Sequence, residues 1–170
     1  MDQINKQKQQ QQEQSARQKQ MQDKIKQLLE KQKALAEKTQ ATIKKAEKGQ
    51  LSQQQATESY SSQAEEQSEI KSQTEQTAGQ ILQHDPNMAL PPQAEDAANE
   101  LKQAAGDQAR AQEQLKAADG PKAKQSQEDA ITHLQNALKL LSQQQQQQPA
   151  PQQDQNKPAE QQQQPELQQQ

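Results

Sequence analysis

Ala130-Ile131-Thr132-His133-Leu134-Gln135-Asn136-Ala137-Leu138-Lys139-Leu140-Leu141 carries apolar side chains at 130, 131, 134, 137, 138 and 141. That is the i, i+3, i+4, i+7 spacing with which an α-helix lines one face. Upstream, Asp119-Gly120-Pro121 is a stop-and-restart signal, because glycine ends a helix and proline opens one. Before that break, Ala97, Ala98, Leu101, Ala104 and Ala105 repeat the same pattern at an offset of 33 residues. Small alanines opposite Leu and Ile permit close helix approach, so residues 92–147 read as a helical hairpin and as the best folded unit. Beyond Leu141 the chain runs from Ser142 to Gln148 and then into Pro149-Ala150-Pro151 and a Gln/Pro tail. Residues 148–170 have almost nothing to bury and are expected to be disordered.

The N-terminal half divides in the same way. Lys48-Gly49-Gln50 suits a helix C-terminus, and Pro86 and Pro91-Pro92 forbid continuation through 84–92. Four helices are expected, over 2–48, 51–84, 92–119 and 122–147, the first fraying before residue 15. In the first, Met21, Ile25, Leu28 and Leu35 form a heptad seam that passes through Gln32 and Thr39. In the second, Ala56, Tyr60, Ile70 and Ile81 share one frame, interrupted by Gln63, Gln67, Thr74 and Thr77. The segment from Glu30 to Thr39 recurs from Glu65 to Thr74. The offset of 35 residues, a whole number of heptads, keeps Gln, an aliphatic residue and Thr in register. Residues 1–50 carry 12 Lys/Arg against 6 Asp/Glu, and residues 51–100 carry 1 against 9. A basic helix 1–48 therefore meets an acidic helix 51–84, which suggests an antiparallel pair.

Large apolar residues are few: Leu and Ile together number 19, Tyr60 is the one aromatic, and Val, Phe, Trp and Cys are absent. Gln, Lys, Glu and Ala are good helix formers, so helix is favoured locally where a thick core is not. The expected fold is all-α: elongated, coiled-coil-like helical hairpins, two in number and loosely coupled, with the disordered C-terminal tail. Ile25, Leu28, Leu35, Ile70, Leu101, Ile131, Leu134, Leu138 and Leu141 are the seam residues expected to mediate contact with other proteins or self-association. The alternative is a largely disordered Gln-rich regulatory or transcription-related protein that becomes helical on binding.

The run Leu28-Leu29-Glu30-Lys31-Gln32-Lys33-Ala34-Leu35-Ala36-Glu37-Lys38-Thr39 resembles the Leu-Ala-Glu-x-Gln-x-x-Leu-Ala-Glu-x-Thr helical repeats of certain Gln-rich bacterial envelope proteins. Ala123, Gln127, Ala130, Leu134, Ala137, Leu138 and Leu141 are similar in spacing to the later helices of that family, so the resemblance covers about residues 21–142. Those proteins occur with MoxR-type ATPases and von Willebrand factor A-domain proteins. The resemblance implies a place at the bacterial cell envelope and carries no reaction with it. The family is usually anchored near its N-terminus, whereas this sequence shows no anchor.

Residue types argue against most chemistry. His84 and His133 are isolated in sequence, the first at a helix end where it caps and the second off the apolar stripe and expected to be exposed. HExxH, GxGxxG and P-loop patterns are missing. Adjacent carboxylates such as Glu65-Glu66 and Glu128-Asp129 point about 100° apart on a helix and cannot flank one substrate bond. No catalytic residue, cofactor, metal or small-molecule substrate is therefore expected. Lys24, Lys26, Lys31, Lys33, Lys38, Lys44, Lys45 and Lys48 could meet phosphates, but Arg and stacking aromatics are scarce and an acidic helix lies next in sequence, which argues against nucleic acid. No run approaches the roughly 20 apolar residues of a bilayer span, and the N-terminus lacks a signal-peptide pattern. Membrane insertion by this sequence is not expected, and its location is left open.

Overall fold

The computed structural model describes residues 2–83 and 90–147, with side chains through Gln143. Its helices are α1 (Asp2–Glu47), α2 (Gln53–Leu82), α3 (Pro92–Lys116) and α4 (Gly120–Gln147). The chain is all-α, as its periodicity requires. The tail 148–170 and His84 lie outside the described residues.

Local chemistry sets the boundaries. After α1, Gly49 takes φ 71°, and the Gly49 and Gln50 N–H groups donate back to the Ala46 and Lys45 carbonyls. This paired closure needs a left-handed residue, which glycine supplies without a side-chain clash. Ser52 opens α2 with a capping box: its hydroxyl accepts from the Gln55 N–H, while the Gln55 side chain accepts from the Ser52 N–H. Pro91 and Pro92 begin α3. The same C-terminal closure recurs after α3, where Ala118 and Asp119 donate to Leu115 and Gln114. Here the left-handed residue is Ala118, at φ 58°. Gly120, expected in the break, is instead the first residue of α4, and Asp119 caps it by accepting from the Lys122 N–H at 3.3 Å.

The helices run alternately up and down. Lys24 reaches Gln80, Lys31 reaches Gln73 and Lys38 reaches Glu66, so α2 returns along α1. Gln22 donates to the Leu141 carbonyl at one pole of the bundle, while Ile43 lies against Gly120 at the other, so α4 is antiparallel to α1. The close neighbours are α1–α2, α2–α3, α3–α4 and α4–α1, which makes the cross-section a square. This corrects the expectation of loosely coupled hairpins: α2 packs as closely on α3 as α3 does on α4, and the apolar cluster draws on all four helices. Ala94, Ala97, Ala98, Ala104 and Ala105 leave α3 slim enough for neighbours on both sides.

The helices differ greatly in length. At about 1.5 Å per residue, α1 spans about 70 Å and α2 about 45 Å. Helix α1 runs from Asp2, and Gln and Lys favour helix even without apolar anchors. Residues 2–13 are exposed along their whole length, and Ile4 with them. They form an arm that outruns the bundle.

Candidate interaction seams and the glutamine core

Of the nine expected seam residues, Ile25, Leu28, Leu35, Ile70, Leu101, Leu134 and Leu141 are buried inside the bundle. Ile131 and Leu138 are half-buried, Leu138 against the main cluster. The structure thus brings most of the seams together on one another. The core has two apolar parts. The larger surrounds Ile25, Leu28, Leu35, Ile81, Leu101 and Leu134, and the smaller, near the two short loops, holds Ile43, Tyr60, Ala64, Leu115 and Ala123.

Between these apolar parts lies a layer of four fully buried glutamines, one from each helix: Gln32, Gln67, Gln108 and Gln127. Gln32 and Gln67 bond reciprocally, with Nε2 to Oε1 distances of 3.0 and 2.7 Å. Gln108 Nε2 donates to Gln32 Oε1 at 3.1 Å, and Gln127 Nε2 donates to Gln67 Oε1 at 3.2 Å. The last two bonds join α3 to α1 and α4 to α2, so they run along both diagonals of the square. Among the described residues, Gln108 Oε1 and Gln127 Oε1 have no donor. A buried hydrogen bond contributes about 1 kcal/mol net and an unsatisfied acceptor costs about 1–3 kcal/mol, so the layer adds little to stability. The recurrence of Gln at core register in the 35-residue echo was the signal for half of this layer. Pairing with Gln108 and Gln127 depends on how α3 and α4 lie against it, which heptad counting along one helix does not give.

A second polar layer sits one turn or two toward the loops. The Thr39 hydroxyl is 3.0 Å from Gln63 Oε1, and Gln63 Nε2 donates to Thr42 Oγ1 at 2.8 Å. Thr74 and Thr77 donate instead to the carbonyls of Ile70 and Gln73, one turn back on their own helix. The positions that weaken the α2 seam in sequence are therefore largely satisfied when buried.

His133 is half-buried on the α3–α4 edge, where the sequence suggested exposure. Its Nδ1 lies 2.7 Å from Glu100 Oε2 and its Nε2 lies 3.5 Å from Asp107 Oδ2. Asp107 is buried and also pairs with Arg110. The imidazole stands between the two carboxylates, one at each ring nitrogen, so the three groups do not converge on a shared point. Among the described residues, no group of three or more His, Asp or Glu could hold a metal ion. One turn pair away, the Gln114 amide and Ser126 hydroxyl meet at 2.7 Å.

The expected electrostatic pairing of α1 with α2 is thin. Lys38–Glu66, at 3.0 Å, is the ion pair between them among the described residues, while Lys24 and Lys31 donate to Gln80 and Gln73. An exposed pair of this kind contributes about 0–1 kcal/mol. At the pole where α1 leaves the bundle, Arg17 donates to the Gln80 and Gln83 carbonyls and closes the C-terminus of α2. Glu13, Ala16, Arg17, Gln20, Met21, Lys24, Gln80 and Gln83 line a shallow groove there. Burial holds the Tyr60 phenol protonated above the ordinary value near 10, and Asp119 and Glu47 add to the effect.

Fold and site together define an antiparallel four-helix bundle with a hydrogen-bonded glutamine core. No family model matches the chain, and no curated protein or solved structure is found to be similar to it. Among the described residues, no helix is long and apolar enough to cross a membrane.

Proposed function

We propose that the chain is a non-catalytic helical interaction or spacer module within a protein assembly. The observation that carries this reading is how the bundle is filled. Its apolar seams pack on one another, and the polar groups of its core bond mostly to one another. Among the described residues, the surfaces left for contact are the charged, glutamine-rich helix backs and the arm at residues 2–13. The partners on this reading are other proteins or further copies of the chain. The resemblance over about residues 21–142 to Gln-rich envelope proteins extends the proposal to an assembly at the bacterial cell envelope. In-cell cross-linking followed by purification tests it: proteins should co-purify at fixed stoichiometry, and removal of residues 2–13 should reduce their recovery. Recovery of the chain as a solitary monomer from cross-linked cells, or turnover of a small molecule by the pure protein, would overturn it.

A further inference from the structure

The short loops of the bundle hold each hairpin in register, since 48–52 join α1 to α2 and 117–119 join α3 to α4. The two hairpins are joined by residues 83–91. Nine residues can span up to roughly 30 Å, enough for one hairpin to sit a heptad higher or lower on the other. The apolar seams of the second hairpin do little to prevent this, because Ala97, Ala104 and Ala111 on α3 and Ala123, Ala130 and Ala137 on α4 recur at heptad spacing and present similar layers after a shift.

We propose that the Gln32–Gln67–Gln108–Gln127 layer sets the longitudinal register of the α1–α2 hairpin on the α3–α4 hairpin. The first hairpin presents a reciprocal Gln32–Gln67 pair whose oxygens remain able to accept. The second hairpin supplies the donors, Gln108 to Gln32 and Gln127 to Gln67, across the diagonals. These two bonds link the hairpins at the centre of the core. A shift of one heptad brings Leu101 and Leu134 opposite the glutamine pair in one direction. It moves Gln108 and Gln127 opposite Ile25 and Thr74, or opposite Thr39 and Tyr60. In either case fully buried amides lose their partners. The two oxygens without donors, on Gln108 and Gln127, fit a layer selected for alignment over maximal stability.

The full chain contains no cysteine, so a spin label can be placed at one chosen site in each hairpin. With Glu37→Cys on α1 and Glu128→Cys on α4, both exposed, pulsed dipolar spectroscopy should give one distance for the parent. Replacing all four glutamines with Leu should add a second distance population, because the apolar seams then align in more than one way. A sharper variant moves the second hairpin's polar layer by one heptad through Gln108→Leu, Gln127→Leu, Leu101→Gln and Leu134→Gln. The offset between hairpins should then change by about 10 Å along the bundle, following the new glutamines. A single, unshifted distance in either folded variant would overturn the proposal.

Discussion

Tyr60 of α2 occupies the space that a side chain at Gly120 of α4 would need. A β-carbon on Gly120 would overlap the Tyr60 hydroxyl and stand 2.7 Å from its Cζ and 2.8 Å from Cγ1 of Ile43. Gly120 is therefore kept small by a neighbour across the bundle, while its own backbone is helical. Gly120→Ala should destabilise the bundle by about 1–3 kcal/mol, the usual effect of overpacking a filled core. Urea denaturation checks the value. Tyr60→Leu in the same background should recover part of the loss, and no loss at all would remove the steric account.

The same tyrosine contributes to alkaline behaviour. Its folded pKa lies above the ordinary phenol value, first through burial and then through Asp119 and Glu47. The unfolded chain gives up this proton near pH 10 while the native state still holds it. The contribution is thus fully present below about pH 10 and is lost as pH rises through the folded value. Urea midpoints between pH 9 and 11 should fall more steeply for the parent than for Tyr60→Phe. Since Tyr60 is the chain's one tyrosine, tyrosinate absorbance reports its ionisation directly.

Ala118 closes α3 in a conformation that costs a residue with a β-carbon about 1 kcal/mol or more. Ala118→Gly should stabilise the bundle by about 0.5–1 kcal/mol, reduced by the greater freedom of glycine when unfolded. Gly49→Ala, at the matching position after α1, should lose a similar amount. Thermal melting of the pair tests both signs.

The reciprocal Gln32–Gln67 bond predicts strong coupling. Gln67→Leu alone should cost about 1–3 kcal/mol, since it leaves amides of Gln32 and Gln127 buried without an acceptor. Adding Gln32→Leu should cost less than the sum, with a coupling energy of about 1–2 kcal/mol in a double-mutant cycle. Additive costs would mean that the two amides act independently.

Much of the helical layout was legible because punctuation is local. Gly49, Ser52 and Pro91-Pro92 act on the backbone within a turn of themselves, so they mark boundaries wherever the helices later pack. The seams were legible for a related reason, since Ile25, Leu28 and Leu134 fall at core register on their own helices. Relations between helices were not. His133 looked exposed because its partners, Glu100 and Asp107, are on a different helix, and only the antiparallel alignment of α3 and α4 brings them to it. Gln67 reads as an interruption of its seam for the same reason: a polar residue in a seam is a defect until its partner, here Gln32 on another helix, is known. Gly120 stood as a break in sequence, while its structural reason, Tyr60, lies some sixty residues away.

The arm should contribute helix content without contributing to the fold. Removing residues 2–13 should lower the far-ultraviolet helical signal in proportion to length and change unfolding stability by less than about 0.5 kcal/mol, because these side chains are exposed. Circular dichroism with urea titration measures both. A larger loss would mean that the arm folds back on the bundle.

An even number of alternating helices has a topological effect on the bundle. Asp2 and Gln147 lie toward the same pole, with Asp2 about 20 Å farther out along the arm. The rounded tip made by residues 48–52 and 117–119 points the opposite way, about 40 Å off, by the length of α4. Tension applied between Asp2 and Gln147 would peel α1 from α4 one turn at a time, instead of shearing all layers together. Such a body is suited to standing out from a mount as a post, and poorly suited to serving as a cable.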